Sequence, residues 1–184
     1  MRIISGEYRG RRIEVSSKLS VRPTTDFAKE GLFNILEGRI RLAGARVLDL
    51  FAGTGSIGYE CISRGAASVT SVELARGQQN FIIRQCKILG IEGLQVVRGD
   101  VFKYLNECRS VSSVREYDLI FADPPYSMAL LNSVPDAVLS EPSILRGGGV
   151  FVLEHSRFHN FESHPLFSFE RVYGNVHFSF FSMV

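Results

Sequence analysis

Residues 49–58 read Asp49-Leu50-Phe51-Ala52-Gly53-Thr54-Gly55-Ser56-Ile57-Gly58. The run that leads into them, Arg46-Val-Leu-Asp-Leu50, reads as a strand buried on both faces. Beyond the glycines, Ile57, Cys61 and Ile62 recur at helix spacing. A G-x-G-x-x-G pattern therefore sits at a strand-to-helix turn. Gly53 and Gly55 permit a tight turn and close approach of a ligand to the backbone, and Gly58 lets the helix lie close to the strand. The unpaired N–H groups at the helix start are then expected to face a bound anion. Twenty residues after Gly53 comes Glu73, ending the apolar run Ser68-Val-Thr-Ser-Val-Glu73. A carboxylate there can accept hydrogen bonds from ribose hydroxyls. A dinucleotide and S-adenosylmethionine (SAM) both fit this pattern.

On either side of this turn the chain alternates. A helix is expected over 25–40, capped by Thr25 or Asp26, with Phe27, Leu32, Ile35, Leu36 and Ile40 as its apolar stripe. Further helices are expected up to residue 64, over 76–89, 101–109 and 130–139. Strands are expected at 94–97, 117–122 and 147–154. Alternating strands and helices with short turns predict a doubly wound, mostly parallel α/β sheet. The tail, Phe167-Ser-Phe-Glu-Arg-Val-Tyr173 then Val176-His-Phe-Ser-Phe-Phe181 across Gly174-Asn175, reads as a hairpin. It adds an antiparallel pair and brings the sheet to seven strands.

The chain has 184 residues, 45% of them hydrophobic, enough for one buried core. No apolar run approaches a membrane span, and the start lacks a signal-peptide pattern, so a cytoplasmic protein without membrane association is expected. Cys61, Cys86 and Cys108 show no C-x-x-C spacing, and the four histidines show no H-E-x-x-H, so no metal is expected. The net charge of +2 is uneven. Arg2, Arg9, Arg11, Arg12, Lys18 and Arg22 outnumber Glu7 and Glu14 in the first 22 residues. Residues 1–22 thus form a basic hairpin extension, with Arg9, Arg11 and Arg12 beside Tyr8, on a domain of residues 23–184. Basic side chains interleaved with an aromatic suit phosphate contact and base stacking.

Asp123-Pro124-Pro125-Tyr126 closes the strand at 117–122. In a doubly wound sheet with strand order 3-2-1-4-5, this tetrapeptide and the glycine turn share one crevice at the carboxyl ends of the strands. Two prolines remove two backbone donors. The Asp123 carboxylate and the Pro124 carbonyl remain as acceptors beside the flat face of Tyr126. That arrangement suits a planar base carrying an exocyclic NH2. Such an amine is a weak nucleophile, and acceptors on its N–H groups aim its lone pair and stabilise the charge that develops on methyl transfer. A target inside a duplex would have to be unpaired or flipped out.

The segments MRIISGEYRGRRI, RPTTDFAKEGLFNIL and DLFAGTGSIGYE, the acidic end of the second strand, Gly99-Asp100 and DPPY occur in that order. Together they resemble the bacterial small-subunit (16S) ribosomal RNA guanine-N2 methyltransferases, the RsmD family. The resemblance implies a Rossmann-like class I fold, SAM as cofactor and methylation of a guanine N2 in ribosomal RNA within the small subunit or its assembly intermediate, by a monomer. It implies that Asp49, Gly53 and Gly55 border the methionine part of SAM, Glu73 the ribose, and Asp100 with the adjoining backbone the adenine. Phe51 and Val101 complete the cofactor positions. Asp123, Pro124 and Tyr126 would hold the guanine, and Arg22, Thr24 and Pro125 would join Arg9, Arg11 and Arg12 in facing the RNA. Methylation of adenine N6 or cytosine N4 stays open, since DPPY serves those amines too. A nicotinamide-dependent oxidoreductase and a catalytically silent RNA-binding module are the readings from other classes.

Overall fold

A computed structural model describes residues 1–15, 25–110 and 116–183. Arg22 and Thr24, expected to face the RNA, lie outside the described residues. The elements run α1 (Asp26–Glu37), β1 (Arg46–Leu50), α2 (Ser56–Ser63), β2 (Ser68–Glu73), α3 (Arg76–Leu89), β3 (Leu94–Arg98), α4 (Val101–Ser110), β4 (Tyr117–Ala122), α5 (Val134–Leu139), β5 (Leu145–His155), β6 (Phe167–Tyr173) and β7 (Val176–Ser182). The helix expected over 130–139 begins as a 3-10 turn, Leu131–Ser133, with Pro135 near the start of the α-helical part. The sheet order is β3-β2-β1-β4-β5-β7-β6. The first five strands are parallel, and β7 enters antiparallel between β5 and β6. The doubly wound sheet, its seven strands and its order reversal between β1 and β4 are as expected.

Each face of the sheet carries its own core. On one, α1, α2 and α3 cover Val47, Val69, Leu119 and Val152; on the other, α4 and α5 cover Leu48, Ile120, Phe151 and Leu153. Covering both faces is why β1 and β4 are apolar almost without interruption. Gly58 brings α2 close to the sheet: a Cβ there would stand 3.0 Å from Leu94 Cδ1 and 3.1 Å from Ser71 Oγ.

Helix α1 departs from its expected stripe and stops at Glu37, with Gly38 as its cap. Thr25 Oγ1 caps the start by accepting the Ala28 N–H at 3.2 Å. The buried face is Ala28, Lys29, Leu32, Phe33 and Leu36, while Phe27 is 70% exposed, edge-on to Tyr173. A lysine reads as solvent-facing in any hydrophobic pattern. Here its Nζ lies 3.5 Å from the Glu60 carboxylate and donates to the Arg2 carbonyl at 2.7 Å, so the buried charge is matched.

Glu60 also holds the N-terminal segment. Its two oxygens accept the N–H groups of Ile4 at 2.8 Å and Ser5 at 3.0 Å, and Arg64 Nε at 2.9 Å. Only one ladder bridge forms in the hairpin, Arg2 with Arg12. Yet Ile3 and Ile13 are buried in the core over α2. The described part of the expected hairpin extension, residues 1–15, is therefore packed into the core. Their two apolar side chains share one side of the hairpin, and burying them stabilises more than leaving the segment solvated.

Glu60→Ala strands the Lys29 charge in the core and frees the amides of Ile4 and Ser5. Urea unfolding should show a loss of about 3–5 kcal/mol. Hydrogen exchange at those two amides should quicken alongside. Protection unchanged at both would mean that the segment is held by its isoleucines alone.

Candidate active site

Strand β1 ends in an unusual backbone. Phe51 has φ +59, the only positive φ outside glycine among the described residues. A bulky residue in the left-handed region is strained, and strain of this kind collects at binding sites. Gly53 and Gly55 follow at φ +55 and +79, and Gly55 caps α2. The turn is braced from β2: the Glu73 carboxylate accepts the Gly53 N–H at 2.8 Å and the Ala75 N–H at 2.7 Å. A carboxylate has about four acceptor positions, so this bracing leaves room for a ligand hydroxyl.

The register Leu50↔Ala122 brings the glycine turn beside Asp123-Pro124-Pro125-Tyr126. Both border one cavity of about 760 Å3, within the range typical of small-molecule sites. Asp49, Phe51, Gly53, Glu73, Asp100, Val101, Asp123, Pro124, Pro125 and Tyr126 all line it, while Gly55 stands behind it under Tyr59 and Ile82. Asp100 caps α4, accepting the Lys103 N–H at 3.0 Å. Arg9, Arg11 and Arg12 are absent from the walls. The loop holding Arg9 and Arg11 packs on Ser63 and Leu89, at the C-terminal ends of α2 and α3. Those ends lie a helix length from the cavity, about 12 Å along the 8 residues of α2 and about 21 Å along the 14 of α3. Arg11 donates to the Leu89 carbonyl at 3.1 Å and lies over the Tyr8 ring, so this one of the three is engaged within the protein.

Two wall residues had no sequence signal of their own. Glu154, near the end of β5, is 3% exposed and accepts the Tyr126 hydroxyl at 3.2 Å. Gln78, in the first turn of α3, carries a buried Oε1 with no hydrogen-bond partner among the described residues. The rule that ligands sit beyond the carboxyl ends of parallel strands points to Glu154 once β5 is placed. Nothing local distinguishes Gln78 from Gln79.

The electrostatics are one-sided. Asp49, Glu73, Asp100, Asp123 and Glu154 line the cavity, and no Lys, Arg or His does among the described residues. Burial pushes the Asp49 carboxyl up to about 7, against hydrogen bonds from the Gly58 N–H and the Ser71 hydroxyl, with the Glu73 charge adding to the rise. Asp123 is held well above the usual carboxylate range by burial, then by the charges of Glu154 and Asp49. Such a pocket repels the pyrophosphate of a dinucleotide. It fits SAM, whose sulfonium and ammonium are cationic, and a ribose hydroxyl would supply the donor that Gln78 Oε1 lacks.

The profile of a protein family described as Conserved hypothetical protein 95 matches residues 1–182. The ribosomal RNA small subunit methyltransferase D of Buchnera aphidicola subsp. Baizongia pistaciae is 30% identical over 154 residues, 84% of this chain and 75% of that protein. The protein of the same name from Escherichia coli (strain K12) is 35% identical over 131 residues, 71% of this chain and 63% of that protein. The chain belongs to this methyltransferase family. Among solved structures, a hypothetical protein of Thermus thermophilus superposes with a TM-score of 0.84 at 27% identity, covering 100% of this chain and 99% of that one. The family fold recurs at 19% identity in SMU.776, solved in complex with SAH, with a TM-score of 0.62 over 79% of this chain and 48% of that one.

Elsewhere in this family member, His155, Glu170 and His177 come together on β5, β6 and β7, their ligand atoms all within 4.8 Å of one another. Glu170 lies between the two rings, 3.4 Å from His155 Nε2 and 3.2 Å from His177 Nδ1. The ring nitrogens of His155 meet the Ser156 carbonyl at 2.9 Å and the Ser179 hydroxyl at 2.8 Å. No helix among the described residues is long and apolar enough to cross a membrane.

The raised value of Asp49 has a sign. Its folded pKa of about 7 lies above the ordinary value of 3.8, so its stabilising contribution is complete below about pH 4 and is lost as pH rises through 7. Asp49→Asn removes that loss. Without ligand, the variant should melt above the wild type at pH 8, with the gap closing toward pH 4. A gap that does not vary with pH would show that Asp49 ionises as an ordinary carboxylate.

Proposed function

We propose that the chain transfers the methyl group of SAM to the exocyclic N2 amine of a guanine in small-subunit (16S) ribosomal RNA. The observation that carries this reading is the meeting of the glycine turn and Asp123-Pro124-Pro125-Tyr126 in one acidic cavity. The names of the relatives support ribosomal RNA as substrate. Guanine N2 is supported by the resemblance of the N-terminal and 22–36 segments to guanine-N2 enzymes. The target nucleotide lies in the small subunit or its assembly intermediate, and the enzyme works as a cytoplasmic monomer.

Bound here, SAM supplies an electrophilic methyl group on a positively charged sulfur. Asp49, Phe51 and Gly53 border its methionine end, where the buried Asp49 carboxylate would face the ammonium, and Gly55 shapes the turn behind them. Glu73 and Gln78 accept from the ribose hydroxyls. Asp100 and Val101 border the adenine. Asp123 and the Pro124 carbonyl accept the two N–H groups of the target amine, draw its lone pair out of conjugation with the ring and stabilise the positive charge that develops on nitrogen. Tyr126, fixed by its bond to Glu154, offers its ring to the base. Pro125 borders the flipped nucleotide, and Arg22 and Thr24 precede the cavity-lining Thr25 in the segment Arg22-Pro23-Thr24-Thr25. Residues 1–22 serve as the RNA-facing extension of the catalytic domain at 23–184, although the described part of that extension is built into the core.

Tritium transfer from labelled SAM to small subunits that lack the modification, followed by nucleoside analysis, tests the reading. N2-methylguanosine is the expected product, and N6-methyladenosine or N4-methylcytidine would replace the proposed target. In the same assay Asp123→Ala should lower turnover by about 10²–10³ with little change in the SAM dissociation constant. Near-normal turnover would remove Asp123 from the amine.

Because Arg11 is tied to Leu89, Arg9 and Arg12 are the hairpin residues assigned to phosphates. Each contact contributes roughly 0.7 to 0.9 to the slope of log affinity against log salt. Arg9→Ala with Arg12→Ala should therefore flatten that slope by about 1.5 and raise the RNA Michaelis constant. Both side chains are exposed, so thermal melting should stay at the wild-type value. An unaltered slope would reduce the arginines to solubilising groups.

A further inference from the structure

We propose that Glu154 is the specificity-determining residue of the site: its carboxylate accepts the N1–H of the target guanine beside the amine held by Asp123. The inference rests on the guanine-N2 reading above and assigns its selectivity to a residue that no motif contains.

The placement follows from the sheet. Strands β4 and β5 are parallel neighbours with Ala122 opposite Leu153, so the next residues along, Asp123 and Glu154, stand side by side. Leu153 and Ala122 point into the α4–α5 core. Alternation turns the following pair toward the other face, and both Asp123 and Glu154 line the cavity. The two carboxylates are near enough for the charge of Glu154 to act on Asp123. Glu154 is almost fully buried and bonded to the Tyr126 hydroxyl, so its position at the wall is held. That bond and the further contacts Glu154 makes draw on a group with about four acceptor positions.

One acceptor cannot tell guanine from adenine or cytosine, because all three present an NH2. The neighbouring ring atom can. Beside its amine, guanine carries N1–H, a second donor, whereas adenine and cytosine carry a ring nitrogen with a lone pair. Two adjacent carboxylates match two adjacent donors. Against adenine or cytosine, the second carboxylate would face a lone pair, which is repulsive and leaves a buried charge without its bond. A flipped base is read on this edge, and a site built to receive a hydrogen bond discriminates strongly against an analogue that lacks the donor. The cationic cofactor beside the pair favours ionisation of both acids.

The probe is 2-aminopurine, which keeps the amine of guanine but has a lone pair at N1. Small subunits are reconstituted with RNA ligated from a synthetic segment that carries guanine or 2-aminopurine at the methylated position. Wild-type enzyme should prefer guanine by at least about 10-fold to 100-fold in kcat/KM. Glu154→Gln, whose amide can donate to N1, should shrink that preference by a similar factor, with 2-aminopurine gaining relative to guanine. If Glu154 serves only to hold Tyr126, the substitution slows both substrates in parallel and the preference is unchanged, which overturns the proposal. Equal use of the two bases by the wild type overturns it as well, and that measurement needs no variant to fold. A wild-type enzyme that modifies adenine or cytosine and leaves guanine untouched would refute the guanine-N2 reading itself, a result distinct from either of these.

Discussion

The pairing of β1 with β4 is the constraint on which the rest depends. Strand order reverses between these two strands, so no connecting loop closes the space above their carboxyl ends. The register Leu50↔Ala122 then sets two short sequences, far apart in the chain, at the same height above the sheet. A slip of two residues would keep every side chain on its own face but would separate Asp123 from the Phe51–Gly55 turn by a strand repeat of about 6–7 Å. The apolar residues of both strands pack on both faces, which resists such a slip. The core thus holds the geometry of the site.

What the core holds in place is costly by itself. Asp49 and Asp123 sit in a cavity whose described lining contributes more carboxylates and no basic side chain, and burial raises both pKa values. The strained Phe51 and the unpartnered Gln78 Oε1 belong to the same wall. The buried acids and Gln78 Oε1 disfavour the empty protein and are relieved by a ligand that brings positive charge and hydroxyl donors. Destabilised groups gathered on one wall are the physical signature of a binding site.

The N-terminal segment is held by a shared buried charge. Glu60 pairs with Lys29 of α1 and with Arg64 at the end of α2, which also meets Glu37, and at the same time anchors Ile4 and Ser5. One buried carboxylate therefore joins two helices and the hairpin. This ties the basic surface to the core over which it packs, so Arg9 and Arg12 stand at a set distance from the cavity.

Element order, the parallel sheet with its antiparallel tail, the glycine turn and the acceptor tetrapeptide were legible in the sequence. All of them depend on residues close together in the chain: a period of two or 3.6, a glycine at a turn, two prolines at a strand end. Burial of Lys29, exposure of Phe27, docking of Ile3 and Ile13 and the two unannounced wall residues were decided by the tertiary structure. Each depends on a partner remote in sequence. Lys29 turns inward because Glu60 is there to meet it. Glu154 becomes part of the site because β5 lies beside β4. Local pattern states what a residue prefers in water, and only the packed chain states which charge, wall or hydrogen bond it meets instead.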